Sequence, residues 1–407
     1  MATQTATLPS PLAAAKNGGD EITFCHFTTA HSQLKSRTLH RICLPLAAAG
    51  IQIRYVSPAR ETPAFEGIEF IRIPESRNRI GRVARSVPLL RELARLDATI
   101  YHFQDPELLP VGLALRAFYR KHVIYDAYED FPSMASASLP RVVRPLAART
   151  IKLAEKLAAH SFDAITTADP FTLRRLARAG RSRKLVFYNF PNLDFFPPPR
   201  PMQKPFDIVY RGGLSDRAGT FTLLDALHRL KWLPRPPRLL LIGYFDNSEA
   251  RRTLEERIRA LELRDQVEIL GRVEHEAMAE ALSRARIGVC PLEAVPKFLL
   301  NIPVKVFEYW ACGLPVVATD LPPIRPFLRH SQAGLLHAPG DAEGLARSIA
   351  WLLESPAAAQ RMGERGRELV ESRFNNECES SKLLRLCVQI ARRQRAFKNQ
   401  EALAPNA

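Results

Sequence analysis

Short apolar runs alternate with longer segments of helical periodicity along the chain, and this alternation restricts the fold more than any other feature. Such a pattern is typical of parallel strands joined by crossover helices. The predicted strands of the first half are 22–27, 51–56, 68–73, 99–103, 122–126, 164–167 and 185–188. Those of the second half are 206–210, 239–242, 267–270, 287–291, 316–319 and 335–337. The sequence therefore predicts an α/β protein with two doubly wound parallel sheets.

A proline-rich stretch separates the two halves. Residues 191–205, PNLDFFPPPRPMQKP, cannot continue a helix or a central strand, because proline lacks the amide hydrogen and clashes with a preceding helical turn. The predicted divisions are disordered tails over 1–19 and 398–407, a first domain over 20–195, a linker over 196–205 and a second domain over 206–375. In such sheets ligands bind beyond the carboxyl ends of the strands, so the residues that follow each strand are the candidates for chemistry.

The composition is that of a globular chain with excess positive charge. Hydrophobic residues make up 46% of the 407 residues and charged residues 25%, which argues against wholesale disorder and against a multi-span membrane protein. Lys and Arg number 58 against 42 Asp and Glu, which gives a net charge of +16. An excess of this size indicates an anionic partner or surface.

The cysteines and the N-terminus indicate a cytoplasmic protein. The six cysteines are scattered, without a C-x-x-C pair or a cluster with histidine at metal-ligand spacing. Residues 1–20 lack the basic and apolar regions of a signal peptide, and no stretch reaches about 18 consecutive apolar residues. We therefore expect reduced thiols and a protein that neither spans a membrane nor is exported.

The clearest chemical motif is NIPVKVFEYWACGLPVVATD, residues 301–320. Pro303 suits the first turn of a helix that Gly313 closes, and Lys305 and Glu308 share a face of that helix. A helix N-terminus and a lysine attract phosphate, and a carboxylate one turn further can accept hydrogen bonds from ribose hydroxyls. The motif thus predicts a nucleoside diphosphate site, with an ordinary surface ion pair as the alternative.

The order of proline, lysine, Phe-Glu-Tyr and Ala-x-Gly-x-Pro-Val-Val-Ala in this motif resembles the nucleotide-binding signature of glycosyltransferase family 4. The resemblance extends from about residue 20 to about residue 390. It implies the GT-B fold, two Rossmann-like domains facing a central cleft, with a last helix over 376–397 that crosses back to the first domain. It also implies that Glu308 contacts the ribose and Lys305 the diphosphate of a nucleotide-sugar donor.

The same resemblance assigns the activity. It implies transfer of a sugar with retention from a nucleotide-diphosphate sugar to a polysaccharide, glycolipid or lipid-linked acceptor. The family's usual account has the departing phosphate take the acceptor's proton, so the protein mainly orients substrates and stabilises charge. No metal or cofactor is expected, because protein cations and a helix terminus can stabilise the leaving diphosphate, and no convincing DXD motif is present.

The stretch YRGGLSDRAG, residues 210–219, resembles the family's glycine-rich turn beside the diphosphate. Glycines at Gly212 and Gly213 would let the backbone approach the phosphates. This chain has Ala218 before the last glycine, where many members carry arginine, so Arg217 or Arg211 would have to supply the cation. A plain strand-to-helix turn is the alternative.

Two further features concern the base and the sugar of the donor. Arg272 and Val273, in LGRV, resemble the loop that addresses the nucleobase through backbone groups. Leu300 stands eight residues before Glu308, where the family's motif has the glutamate that binds the donor sugar. The identity of the sugar is therefore open.

In the first domain, YHFQDPELLP (101–110) and YDAYEDFP (125–132) each follow a predicted strand. They resemble a His-x-His-Asp-Pro-Glu-Leu-Leu-Pro stretch and an Asp-x-His-Glu stretch of one branch of the family. His102 and Asp105 match the first stretch residue by residue, and Asp126 and Glu129 match the second. The residues that this resemblance assigns to orienting the acceptor or the donor sugar are His102, Asp105, Tyr128 and Glu129.

Each assigned residue in the first domain either has an alternative structural role or differs from the family pattern. Asp105 could cap the following helix, and His26, after the first strand, could be a buried core histidine. Gln104 and Tyr128 stand where the family stretches have histidine. A tyrosine donates a hydrogen bond at neutral pH but is a poor base.

Two basic segments are candidates for the site of the charge excess. Residues 76–97 carry Arg77, Arg79, Arg82, Arg85, Arg91 and Arg95, and residues 140–160 carry Arg141, Arg144, Arg149, Lys152 and Lys156, all among apolar residues. Such segments suit an anionic membrane surface, and thus a peripheral position at the inner face of the membrane, or they are solvated helix faces. They contain no aromatic residue for base stacking, which disfavours nucleic acid.

Two other functions fit the same sequence. A sugar-nucleotide epimerase on this fold would act on the donor without an acceptor. A non-catalytic nucleotide-sugar-binding scaffold would explain why Leu300, Gln104 and Tyr128 depart from the family pattern.

Overall fold

The computed structural model describes residues 22–29, 36–58, 64–75, 79–132, 142–177, 180 and 182–403. These residues form two compact units. The first contains the chain up to residue 189 and from residue 377 onward, and the second contains residues 190–376. The expected tail over 1–19 lies outside the described residues.

The first unit is built on a parallel sheet of seven strands in the order β3-β2-β1-β4-β5-β6-β7. The strands are β1 (Thr23–Phe27), β2 (Gln52–Ser57), β3 (Ile68–Arg72), β4 (Ile100–Phe103), β5 (His122–Ala127), β6 (Ala164–Thr167) and β7 (Arg183–Val186). The helices that precede the second unit are α1 (Ser36–Thr38), α2 (Leu44–Ala48), α3 (Arg79–Ala84), α4 (Ser86–Arg95), α5 (Leu109–Tyr119), α6 (Arg144–Ser161) and α7 (Pro170–Ala177). A π-helical turn, Leu39–Cys43, joins α1 to α2.

The second unit is built on a parallel sheet of six strands in the order β10-β9-β8-β11-β12-β13. The strands are β8 (Ile208–Gly213), β9 (Leu239–Tyr244), β10 (Val267–Gly271), β11 (Ile287–Cys290), β12 (Val316–Thr319) and β13 (Gly334–His337). The helices are α8 (Thr220–Arg229), α9 (Ser248–Ala260), α10 (Met278–Ser283), α11 (Val304–Ala311), α12 (Arg325–Leu328), α13 (Ala342–Glu354) and α14 (Pro356–Ser372). Each of the thirteen predicted strands thus has a counterpart in the structure.

The last helix, α15 (Asn376–Leu403), packs on the first sheet. Leu383 and Ile390 belong to the same buried cluster as Phe24 of β1 and Ile42 of the π-helical turn. The helix continues through Leu403, so the expectation of a tail that begins at residue 398 is wrong for residues 398–403. The segment KNQEAL has no glycine or proline to end a helix.

Strand β8 is longer than its apolar run, 206–210, predicts. It continues through Gly212 and Gly213, which pair with Gly243 and Tyr244 of β9. The expectation that both glycines belong to a turn after the strand is therefore wrong. Neighbour pairing extends the strand where side-chain pattern gives no signal, because a glycine has no side chain to show which face is buried.

Among the described residues, no helix is both long and apolar enough to cross a bilayer.

Candidate functional site

Helix α11 carries both residues of the strongest sequence motif. It begins after Pro303 and ends before Gly313, whose φ of +67° lies in the left-handed region that glycine adopts readily. The side chains of Lys305 and Glu308 are only 9% and 1% exposed. The alternative of an ordinary surface ion pair is therefore wrong, because neither side chain lies on the surface.

Aromatic side chains fix helix α11 in the core of the second unit. The Phe307 ring packs edge-on against the rings of Phe327 and Phe374, with centroids 5.0 and 5.6 Å apart. The Trp310 indole donates a hydrogen bond of 2.9 Å to the Ala333 carbonyl. These contacts hold one side of the helix, so the side chains of the opposite side, Lys305 among them, occupy defined positions.

The Lys305 ammonium lies against the end of strand β8. Its Nζ atom is 4.1 Å from the centroid of the Tyr210 ring and would be 2.8 Å from a Cβ atom built on Gly212, whose φ is +144°. Any residue but glycine at 212 would therefore displace the lysine. Burial is the main cause that lowers the pKa of Lys305 to about 8. A buried cation without full compensation favours the approach of an anion.

Glu308 is held by an arginine from β8. The Glu308 Oε2 atom lies 2.9 Å from the Arg211 Nη1 atom, and the Arg211 backbone N–H donates a hydrogen bond of 2.8 Å to the Tyr309 hydroxyl. The ion pair is not aligned as a hydrogen bond, and no described residue donates one to Glu308 Oε2, which is buried. That oxygen therefore keeps its capacity to accept a hydrogen bond, although Glu308 is not among the residues that line the neighbouring cleft. Arg211, expected as a diphosphate ligand, is engaged with Glu308.

A cleft of about 240 Å³ opens beside Lys305. Among its lining residues are Tyr210, Gly212, Gly213, Ser215, Arg217, Tyr244, Asp246, Lys297, Asn301, Pro303 and Lys305. The Arg217 Nη2 atom lies 2.7 Å from Asp246 Oδ2, with both side chains exposed. The structure thus brings Lys305, Arg217 and the two glycines to one cavity, which can hold a small polyanion.

Tyr244 lies beside the residues predicted to bind the nucleobase, although no sequence motif includes it. Arg272 and Val273 directly follow β10. The Arg272 guanidinium carbon lies 4.8 Å from the centroid of the Tyr244 ring, and Tyr244 is 46% exposed at the cleft. An exposed aromatic ring beside a guanidinium can stack against a nucleobase. The position of Tyr244, directly after the apolar run of β9, is the only sequence signal for it.

Leu300 does not line the cleft, although it stands at the sugar-binding position of the resemblance. Its neighbours Lys297 and Asn301 do line it. Neither residue is predicted from the sequence, because the spacing of the family motif points to position 300 alone.

In the first unit, two buried histidines meet at the carboxyl ends of adjacent strands. The Nδ1 atoms of His26 and His102 are 2.9 Å apart, so one ring donates and the other accepts. Burial lowers the pKa of His102 to about 4, which keeps its imidazole neutral at neutral pH. His102 Nε2 is buried and has no hydrogen-bond partner among the described residues. His26 is buried, as expected for a core histidine, and its contact with His102 fixes the orientation of the His102 ring.

Asp126 is the centre of a buried polar network. Arg37 donates two hydrogen bonds of 2.9 Å to its two carboxylate oxygens, Thr166 donates one of 2.7 Å and Gln104 one of 2.8 Å. Although burial acts in the opposite direction, Arg37 lowers the pKa of Asp126 below its usual value. Gln104 also accepts a hydrogen bond of 3.0 Å from Thr38, so the amide that replaces a family histidine connects two elements. No motif in the sequence points to Arg37.

Asp105, Tyr128 and Glu129 lie near this network. The Asp105 carboxylate accepts a hydrogen bond from Thr28 and makes none to the helix that follows it, so the capping alternative is wrong. The Tyr128 ring packs edge-on against Phe131 at 5.3 Å between centroids. Burial, together with the negative charges of Glu129 and Asp105, raises the pKa of Tyr128 above its usual value, so its hydroxyl stays protonated. The structure therefore groups these residues at one end of the first sheet.

Both units match models of known glycosyltransferase families. Residues 36–195 match the model described as Glycosyltransferase Family 4. Residues 194–369 match the model described as Glycosyl transferases group 1. Together these two matches cover residues 36–369 and show that the chain belongs to the family 4 glycosyltransferases. Its two parallel sheets with alternating helices are those of the GT-B fold.

Curated relatives match less than half of the chain. The glycogen synthase of Mycobacterium tuberculosis is 27% identical over 176 residues, which are 43% of this chain and 41% of that protein. The amylovoran biosynthesis glycosyltransferase AmsK of Erwinia amylovora is 28% identical over 191 residues, 47% of this chain and 46% of that protein. The chain thus spans less than half the length of these relatives in the matched regions.

A solved structure shows the same fold over most of the chain. It is that of Anabaena HepE in complex with UDP and glucose, with a TM-score of 0.70 at 15% identity. The match covers 91% of this chain and all of the other. At this identity the likeness concerns the fold alone.

Proposed function

We propose that this protein transfers a sugar with retention from a nucleoside-diphosphate sugar to a polysaccharide, glycolipid or lipid-linked acceptor. The observation that carries the proposal is the buried Lys305 ammonium, which lies against Gly212 and lines a cleft of about 240 Å³ together with Arg217. Membership of the family and the sugar-transferring relatives support the same activity.

In the proposed donor complex each group of the second unit has one role. The diphosphate lies against Lys305, with Arg217 at the open side of the cleft. The ribose hydroxyls donate to Glu308 Oε2, which accepts no hydrogen bond from the described residues. The nucleobase lies beside Tyr244 and the backbone of Arg272 and Val273. The UDP that HepE binds in its own structure supports a nucleoside diphosphate as the ligand.

In the proposed reaction the bond between the anomeric carbon and the β-phosphate oxygen breaks. The acceptor hydroxyl oxygen forms the new bond on the same face of the sugar, and its proton passes to the departing phosphate oxygen. Lys305 stabilises the charge that develops on that phosphate. The acceptor or the sugar is oriented by His102, Asp105, Tyr128 and Glu129. The neutral His102 imidazole and the protonated Tyr128 hydroxyl can each form a hydrogen bond with a sugar hydroxyl.

Glu308→Ala tests the ribose role. The variant is expected to bind the nucleoside diphosphate about 1–3 kcal/mol more weakly, because hydrogen bonds to a charged group are lost. Isothermal titration with UDP, GDP, ADP and dTDP measures this difference, with Glu262→Ala, an exposed carboxylate of the same unit, as the matched control. Equal affinities of Glu308→Ala and the parent protein would remove the assignment.

Turnover tests the activity itself. Purified protein is incubated with nucleotide-sugars and saccharide or lipid-linked acceptors, and the anomeric configuration of the product is read by NMR. Retention in a glycoside product is expected. An epimerised donor formed without any acceptor would identify the epimerase instead, and tight donor binding without turnover would identify the scaffold.

The acceptor class rests on one face of helix α6, which we define by Leu146, Leu153 and Leu157 together with Arg149, Lys152 and Lys156. The three leucines are 67%, 60% and 52% exposed. At 100° per residue they form one stripe, and the three cations lie beside it. The single acidic residue of α6, Glu155, is buried and paired with Arg175.

An exposed leucine stripe beside cations suits the surface of an anionic bilayer. We therefore propose that the protein is peripheral at the inner face of the membrane, where a lipid-linked acceptor is held. Arg77 and Arg141 of the two basic segments lie outside the described residues.

The α6 face predicts binding to vesicles that contain phosphatidylglycerol and release by added salt. Leu153→Glu combined with Leu157→Glu is expected to weaken partitioning by more than about tenfold, because each leucine contributes about 1.5–3 kcal/mol when buried in the interface. Vesicle sedimentation measures it, with Trp232→Glu, an exposed apolar residue of the second unit, as the control. Equal binding to neutral phosphatidylcholine vesicles would count against the membrane role.

A further inference from the structure

We propose that the donor sugar carries a carboxylate, so that the donor is a nucleotide-activated uronic acid, and that Lys297 and Asn301 recognise that carboxylate. The inference rests on the proposed function, because it assigns a substrate class to the same cleft. It starts from the charges that line the cleft and from the position of one turn.

Cations outnumber carboxylates in the cleft. Lys297, Lys305 and Arg217 line it, and the one carboxylate among its lining residues, Asp246, lies 2.7 Å from Arg217. Lys305 is buried against Gly212, where the proposed function places the diphosphate. Lys297 has no carboxylate within ion-pair distance in the described part of the chain. The lining thus carries a net charge of +2, to which Lys297 contributes a cation without a carboxylate partner among the described residues.

The turn that carries Lys297 lies where the sugar is expected. The Lys297 carbonyl accepts a hydrogen bond of 3.2 Å from the Asn301 N–H, so both residues belong to one turn directly before α11. The family places its sugar-binding glutamate at Leu300, inside this turn. The sugar that extends from the diphosphate at Lys305 would therefore meet the residues of the turn.

The turn carries a cation, Lys297, and has no carboxylate at the position where the family motif has its glutamate, which is Leu300 here. A glutamate accepts hydrogen bonds from neutral sugar hydroxyls, and the hydrocarbon chain of Leu300 can accept none. Lys297 offers three N–H donors with a full charge, and Asn301 offers two amide N–H donors. The Asn301 side chain makes no hydrogen bond to another described residue. An ammonium beside an amide matches a carboxylate, whose oxygens only accept.

The experiment compares donors that differ only at the sugar C6 carbon. The full chain is titrated with UDP-glucuronate and UDP-glucose, with GDP-mannuronate and GDP-mannose, and with UDP and GDP alone. The uronate of the nucleotide that binds is expected to bind about fivefold to tenfold more tightly than its neutral partner. Lys297→Met is expected to abolish this ratio. Lys231→Met, which removes a partly buried lysine paired with the exposed Glu262 outside the cleft, serves as the control and is expected to keep the ratio.

Three outcomes would overturn the inference. Equal affinity for the uronate and the neutral sugar would show that the cleft does not select a carboxylate. A Lys297→Met variant that loses affinity for UDP or GDP alone to the same extent would assign Lys297 to the diphosphate. Failure of every nucleotide to bind would remove the proposed function together with the inference, whereas nucleotide binding without a preference would remove the inference alone.

Discussion

Lys305→Met is expected to lower turnover by about 10²–10³-fold, the effect of removing one group that stabilises the charge of a transition state. The methionine side chain is similar in length to lysine, so the packing against Tyr210 and Gly212 is largely kept. Steady-state kinetics with saturating donor measures the loss, and Lys231→Met, on the surface of the same unit, controls for loss of positive charge. A variant with a rate within twofold of the parent would show that Lys305 is only a packing residue.

The pKa of Lys305 adds a second test of the same role. The ammonium is charged below its pKa of about 8 and loses its proton above it. Because an anionic ligand needs the charged form, nucleoside diphosphate affinity is expected to be constant below that pH and to fall above it. The fall should be absent in Lys305→Met. A fall of equal size in the variant would assign the pH dependence to another group.

Arg37→Met is expected to destabilise the first unit by about 3–5 kcal/mol, because it leaves the buried Asp126 carboxylate without its cation. Arg37 is 8% exposed and donates to both oxygens of Asp126, which is fully buried. Thr166 and Gln104 still donate to the carboxylate but carry no charge.

Hydrogen exchange measures this loss strand by strand. Amides of β4 and β5 are expected to exchange faster in Arg37→Met, with β12 of the second unit as the internal reference. Arg54→Met, which removes the partly buried partner of the exposed Glu69, is expected to cost less than about 1 kcal/mol. Protection of β4 and β5 as strong as in the parent would show that the ion pair contributes nothing to stability.

The sequence predicted the strands well because both sheets are parallel and covered on both faces. Strands such as 122–126 and 316–319 are then nearly continuous apolar runs, which stand out against amphipathic helices. The end of β8 was not predictable, because Gly212 and Gly213 join the sheet through backbone pairing that leaves no side-chain signal. The last helix continues beyond its predicted end, since polarity alone does not stop a helix.

The candidate site was predictable in part. Lys305 and Glu308 were found because their spacing on one helix is a local property. Arg37 and Tyr244 reach their partners across the sheet, at Asp126 and Arg272, and such pairings have no local signature. The sequence offers Arg211 as a possible substitute for the family arginine at the diphosphate, and the structure pairs it with Glu308 instead.

A crystal structure of the protein with a bound nucleotide-sugar tests the central claim most directly. We expect the diphosphate within about 3.2 Å of Lys305 Nζ, above Gly212, and the ribose hydroxyls at Glu308. Ligand density outside the cleft beside Lys305, or a diphosphate that avoids the lysine, would contradict the account.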